Sequence, residues 1–108
     1  MDLITERELK QKQLDQAIKD LRGNGTEYAE KEKNYKILLR QEVLKLRDEG
    51  VAIGVIDKIC YGIPSVAEAR YERDVAETIY KANQEAINSI KLQMRLIGEQ
   101  ISREWVND

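Results

Sequence analysis

The chain has 108 residues, 35% of them charged and 6% aromatic, with 20 acids, 18 bases, one cysteine, one proline, no histidine and no phenylalanine. That length holds one modest core, and scarce glycine, proline and aromatic residues suit long helices and suit sheets poorly. The net charge of −2 is spread so evenly that no segment carries the basic footprint of nucleic-acid binding, and the lack of histidine removes the commonest general base and metal ligand.

Thr5 and Glu8 match the S/T-x-x-E capping box and open a first helix over about 5–22. Its apolar positions are Leu14, Ala17, Ile18 and Leu21. Gly23-Asn24-Gly25 reads as a turn, because glycine past a helix end accepts the left-handed conformation at little cost. Thr26 then caps a second helix over 26–49, ended by Gly50. Tyr28, Tyr35, Leu39, Val43 and Leu46 share one face of it, while Ile37 and Leu44 lie on the opposite side. A helix apolar on two sides sits between two neighbours.

Residues 51–61 are nearly uncharged and rich in β-branched side chains. The length and the flanking glycines predict a short buried helix over 52–61 that turns a corner. Ser65 with Glu68 forms a second capping box. From there a helix-compatible run extends over 66–106, interrupted only by Gly98.

In that long segment Tyr71, Val75, Ala76, Ile79, Ala82, Ala86, Ile87, Ile90, Met94, Ile97, Ile101 and Trp105 fall on one side, with Arg73, Glu77, Lys81, Gln84, Asn88, Lys91, Arg95 and Glu99 opposite. The spacing of Val75, Ile79, Ala82, Ala86, Ile90, Met94, Ile97 and Ile101 is close to an eleven-residue repeat, which predicts a slight or right-handed supercoil. Glu72 and Asn83 interrupt the apolar side. A basic residue of the second helix is expected to pair with Glu72, and Asn83 could fix register.

Such a helix would span roughly 60 Å, whereas a compact chain of this size is about 34 Å across. The expected architecture is therefore an all-α, elongated helical bundle, one domain over 1–108, with one long C-terminal helix. Leu92 and Leu96 lie off the main stripe, so the second half of that helix looks too apolar for this chain alone. Leu92, Leu96, Ile101 and Trp105, with Ile37 and Leu44, are the candidate interface, and self-association as a dimer is expected.

Catalysis finds no footing in the sequence. No histidine can pair with Cys60, Ser65, Ser89 or Ser102, so no nucleophile–base pair arises, and neither a cofactor nor a metal is implied. Cys60 lies in an apolar run and reads as a small core residue. The alternative reading is a helix-turn-helix-like corner at 51–75, with Arg70, Tyr71 and Arg73 toward nucleic acid. Against it, residues 66–77 carry four acids and two bases, which is unfavourable beside phosphates.

Glu49-Gly50-Val51, the apolar corner, then Glu68-Ala69-Arg70-Tyr71-Glu72-Arg73-Asp74-Val75-Ala76-Glu77 and the ending Arg103-Glu104-Trp105 carry a resemblance. The chain resembles small helical proteins of temperate phages of Gram-positive bacteria. The resemblance implies an early, non-structural protein, encoded near recombination genes or among genes that blunt host defences, such as anti-CRISPR proteins. The expected function is a non-enzymatic accessory or inhibitor that occupies the surface of a host or phage macromolecular complex. The N-terminus has no apolar signal core and no run approaches membrane-spanning length, so a protein of the host cytoplasm with no membrane partner is expected.

Overall fold

In the computed structural model, which describes residues 2–107, Asp2 starts the first helix. Its Oδ1 accepts a hydrogen bond from the Thr5 amide at 2.7 Å, satisfying one of the amide donors that every helix start leaves open. Asp2 thus holds the capping place expected for Thr5. That bond also keeps the Asp2 carboxyl below its ordinary pKa.

Helix α1 runs without a break from Leu3 to Asp48, 46 residues. The expected turn at Gly23-Asn24-Gly25 does not form, and Thr26 caps nothing. Two glycines cost a helix interior about 1 kcal/mol each relative to alanine. Packing and the hydrogen bond of Asn24 to Asn83 offset that local preference. The end of α1 is the one expected. Gly50 adopts φ +86°, its amide bonds to the Arg47 carbonyl at 3.0 Å, and the Val51 amide bonds to the Leu46 carbonyl at 3.1 Å. This pair of reversed bonds is a Schellman motif, which stops a helix at a residue able to take positive φ.

Helix α2 spans Ile53–Ile59 and continues as a single 3₁₀ turn over Cys60–Gly62. Helix α3 follows, Pro64–Asn107, 44 residues and continuous through Gly98. Proline supplies its first position, where a missing N–H is harmless and the fixed φ already suits a helix. Ser65 therefore lies inside the first turn and is not the cap. No strand occurs among the described residues, so the fold is all-α with a long C-terminal helix.

Packing groups the chain into two units. The first combines residues 1–24 with 80–108. Asn83 meets both Ala17 and Asn24, while Ile101 and Trp105 share a hollow with Leu3 and Ile4. Numbers rise along α1 as they fall along α3, so the two helices are antiparallel here. Leu14, Ile87 and Ile97 are the buried apolar residues of this unit. The second unit, 25–79, holds Tyr35, Ile56, Cys60, Val66 and Ala76 in its core, with Val66 wholly buried. Cys60 is a free, buried thiol. Across this unit Lys31 pairs with Glu72 and Glu32 with Arg73, each at 3.4 Å.

The burial pattern of α3 corrects the expected repeat. Val66, Ala69, Arg73, Ala76, Tyr80, Asn83, Ile87, Ile90, Met94, Ile97 and Ile101 are buried or half-buried, at alternating steps of three and four. That is a seven-residue repeat, the periodicity of a left-handed helix pairing. The eleven-residue spacing came from joining two stripes. Val75, Ile79, Ala82 and Ala86 are exposed on another face of the helix, and only Ile90 onward belongs to the buried seam. Arg73, assigned to the polar side, is a seam residue with a side chain only 18% exposed.

Candidate interaction surfaces

The seam of α3 is held partly by polar contacts, and these use up several side chains that could otherwise act. Lys31 reaches both Glu27 at 3.8 Å and Glu72 at 3.4 Å, so Glu72 has the basic partner expected for it. The Arg73 guanidinium lies 4.6 Å from the centre of the Tyr35 ring and donates to Asp74 at 2.9 Å and Glu32 at 3.4 Å. Burial alone would lower the Arg73 pKa, but the Asp74 and Glu32 carboxylates outweigh it and hold the cation above its ordinary value. Arg70 lies over the Tyr61 ring at 5.5 Å.

The three residues of the nucleic-acid alternative therefore do not converge. Arg73 turns into the seam, Arg70 stacks on Tyr61, and Tyr71 is exposed in line with Val75. Among the described residues no three histidine, cysteine or carboxylate side chains are grouped to hold a metal ion. No helix among them is long and apolar enough to cross a membrane.

Among the described residues the fold leaves apolar surface open in several places. The first is the corner. Ile56 and Cys60 are buried, yet Ile53, Val55, Ile59 and Tyr61 are exposed. The expectation of a buried corner helix holds for one side only. Seven residues of helix cannot turn every side chain inward when the run is apolar all round.

The second is a flank of α3 in the second unit, beside its buried seam. Tyr71, Val75 and Ile79 are exposed there and, with Asp74 and Thr78, edge a shallow hollow. Leu92 and Leu96, both candidate interface residues, are exposed on the part of α3 that belongs to the first unit. The third is the far end of the first unit. Trp105 is 76% exposed and edges a hollow of ≈ 290 Å³ with Leu3, Ile4 and Ile101. Ile101 itself is a half-buried seam residue. Ile37 and Leu44 are exposed on α1, on the side away from Tyr35 and Val43. The second half of α3 is not an uncovered overhang, because the first half of α1 pairs with it and buries Ile97.

No family model matches the chain, and neither a curated protein nor a solved structure is similar to it at a significant level.

Proposed function

We propose that this chain is a non-enzymatic, protein-binding accessory or inhibitor that acts by occupying a partner's surface, and that the corner is its contact point. The observation that carries the reading is the exposure of Ile53, Val55, Ile59 and Tyr61 within nine consecutive residues. Clustered apolar surface of this kind marks interaction sites in water-facing proteins. Only Asp57 and Lys58 bring charge to the segment, so a partner's apolar surface is the complementary one. The buried side of the same segment, Ile56 and Cys60, followed by the wholly buried Val66 at the start of α3, gives the exposed side chains a rigid backing, which lowers the entropy lost on binding. The setting, a phage or host macromolecular complex and counter-defence of the anti-CRISPR kind, rests on the resemblance of residues 68–77 and 103–105 to phage proteins.

The test is affinity capture from host lysate with the wild-type chain and with an Ile53→Ser/Val55→Ser/Ile59→Ser variant of unchanged helical circular dichroism. The proposal requires a partner that the wild type retains and the variant loses. Equal capture by both would rule out the corner as the contact point.

A further inference from the structure

The two sides of the helix pair in the first unit are unequal. On α1 the side chains turned inward are Leu3, Glu6, Lys10, Leu14, Ala17, Leu21 and Asn24, each buried or half-buried. A charge, an amide or a single methyl group occupies four of these seven places. On α3 the seam that faces them is apolar over most of its length, with Ile87, Ile90, Met94, Ile97 and Ile101. Of the apolar side chains buried in this unit among the described residues, α1 supplies only Leu14, and that at 9% exposure. Apolar burial is what holds such a pair together, and α1 brings little of it here. The hydrogen bonds of Asn83 with Asn24 and Ala17, at 2.8 and 2.9 Å, cross the pair at its glycine end.

The second unit is held more firmly. Val66 is wholly buried, the Arg73 guanidinium lies over the Tyr35 ring at 4.6 Å, and the Lys31–Glu72 and Glu32–Arg73 ion pairs join its helices at 3.4 Å.

The covering segment of the first unit also has its own breaking point. Gly23 and Gly25 flank Asn24 inside α1, and glycine loses more backbone freedom in a helix than any other residue. Both new ends of a break there are provided for. Glycine can stop the helix of residues 3–22, and Thr26, which is exposed, can cap the helix that follows. A break elsewhere in α1 would have neither provision. A segment whose local preference disagrees with the final fold marks a functional or strained place. Once detached, a helix of about 20 residues with so few apolar contacts is marginal in water.

We propose that residues 3–22 form a strap that releases from α3 as one piece, hinged at Gly23-Asn24-Gly25, and that its release uncovers Ile87, Ile90, Met94 and Ile97. The contacts within residues 25–79 persist while it does so, which makes the release a local opening of the native chain. It does not depend on the corner as a contact point.

The test is amide hydrogen exchange of the full chain at neutral pH, with the wild type beside Gly23→Ala, whose added methyl meets nothing within 4 Å. The amides of residues 8–20 should share one protection factor, at least tenfold below that of residues 35–43. Gly23→Ala should slow them together by about fivefold, the helix preference of alanine over glycine, and leave residues 35–43 unchanged. Fraying from the chain end would instead give protection that climbs steadily from residue 8 to residue 20 and ignores Gly23→Ala, and that result overturns the proposal. So does equal protection of the two segments, the mark of a chain that opens only as a whole.

Discussion

Asn24 donates from Nδ2 to Oδ1 of Asn83 at 2.8 Å, and Asn83 in turn donates from Nδ2 to the Ala17 carbonyl at 2.9 Å. The two amides face each other inside an otherwise largely apolar helix pair, at seam positions. A half-buried amide pair in such a seam holds register at some cost in stability, because a shift of one helix takes both groups away from their partners.

Replacing Asn83 by Ala should lower stability by about 1–2 kcal/mol, since Asn24 is left half-buried and unbonded. The double change Asn24→Leu/Asn83→Leu should instead raise the urea midpoint. The transition should also broaden or the amide spectrum multiply, as alternative registers become available. Urea unfolding and a ¹⁵N correlation spectrum test both halves of this prediction.

Arg73 should tolerate no simple exchange. Arg73→Ala loses the stack on Tyr35 and the fork to Glu32 and Asp74 together, and about 1–3 kcal/mol with them. Arg73→Lys keeps the charge but neither the planar stack nor the fork, so its urea midpoint should fall between those of Ala and wild type. A raised cation pKa adds stability that is complete below the unfolded value and fades only as pH climbs through the folded one. Arg73 therefore contributes no pH dependence between neutrality and pH 10.

The glycines separate by backbone conformation. Gly23 and Gly98 lie within helices with nothing inside 4 Å of an added Cβ, so Gly23→Ala and Gly98→Ala should each stabilise by about 1 kcal/mol. Gly50 has equal space but φ +86°, and Gly50→Ala should destabilise by roughly 1–2 kcal/mol. Thermal melts of the three single variants give the signs directly.

These glycines also mark what could be read in the sequence and what could not. Gly50 was legible, because a glycine one step past a helix end has a local meaning. Gly23-Asn24-Gly25 has the same local look, yet its outcome is set by Asn83, 59 positions away, and no short window contains that information. On α3 the long helix and its apolar side were plain. The division of that side was not, because Arg73, Tyr80 and Asn83 occupy seam positions that a tally of apolar residues leaves out. Val75 and Ile79 were counted as core in their place. Leu92 and Leu96 stood out because they lie farthest from the seam. The exposure of Ile53 and Val55 was hidden by the brevity of α2, too short to show a face.

The start of α1 should respond to acid. The Asp2 carboxyl is held below its ordinary value by the Thr5 amide. Its contribution is thus present above the unfolded value and lost as pH falls through the lower, folded one. Amide exchange of Thr5 should quicken below pH 4 relative to residues in the middle of α1, and Asp2→Ala should show the quickened exchange at every pH.

Neighbouring positions on α3 should behave in opposite ways. Ile97 is 8% exposed and Leu96 50%. Ile97→Ala should cost about 2–4 kcal/mol of folding stability, seen as a lower unfolding midpoint at any protein concentration. Leu96→Ala should leave the midpoint at high dilution unchanged and lower it only where copies associate.

The self-association expected through Leu92 and Leu96 is tested most directly by sedimentation equilibrium. The wild-type chain and a Leu92→Glu/Leu96→Glu variant should be run side by side up to high micromolar concentration. A wild-type mass of twice 12.5 kDa, with the variant at the monomer mass and unchanged in helical content, is the predicted result. A wild type that stays monomeric, or a variant that dimerises as tightly as the wild type, would contradict it.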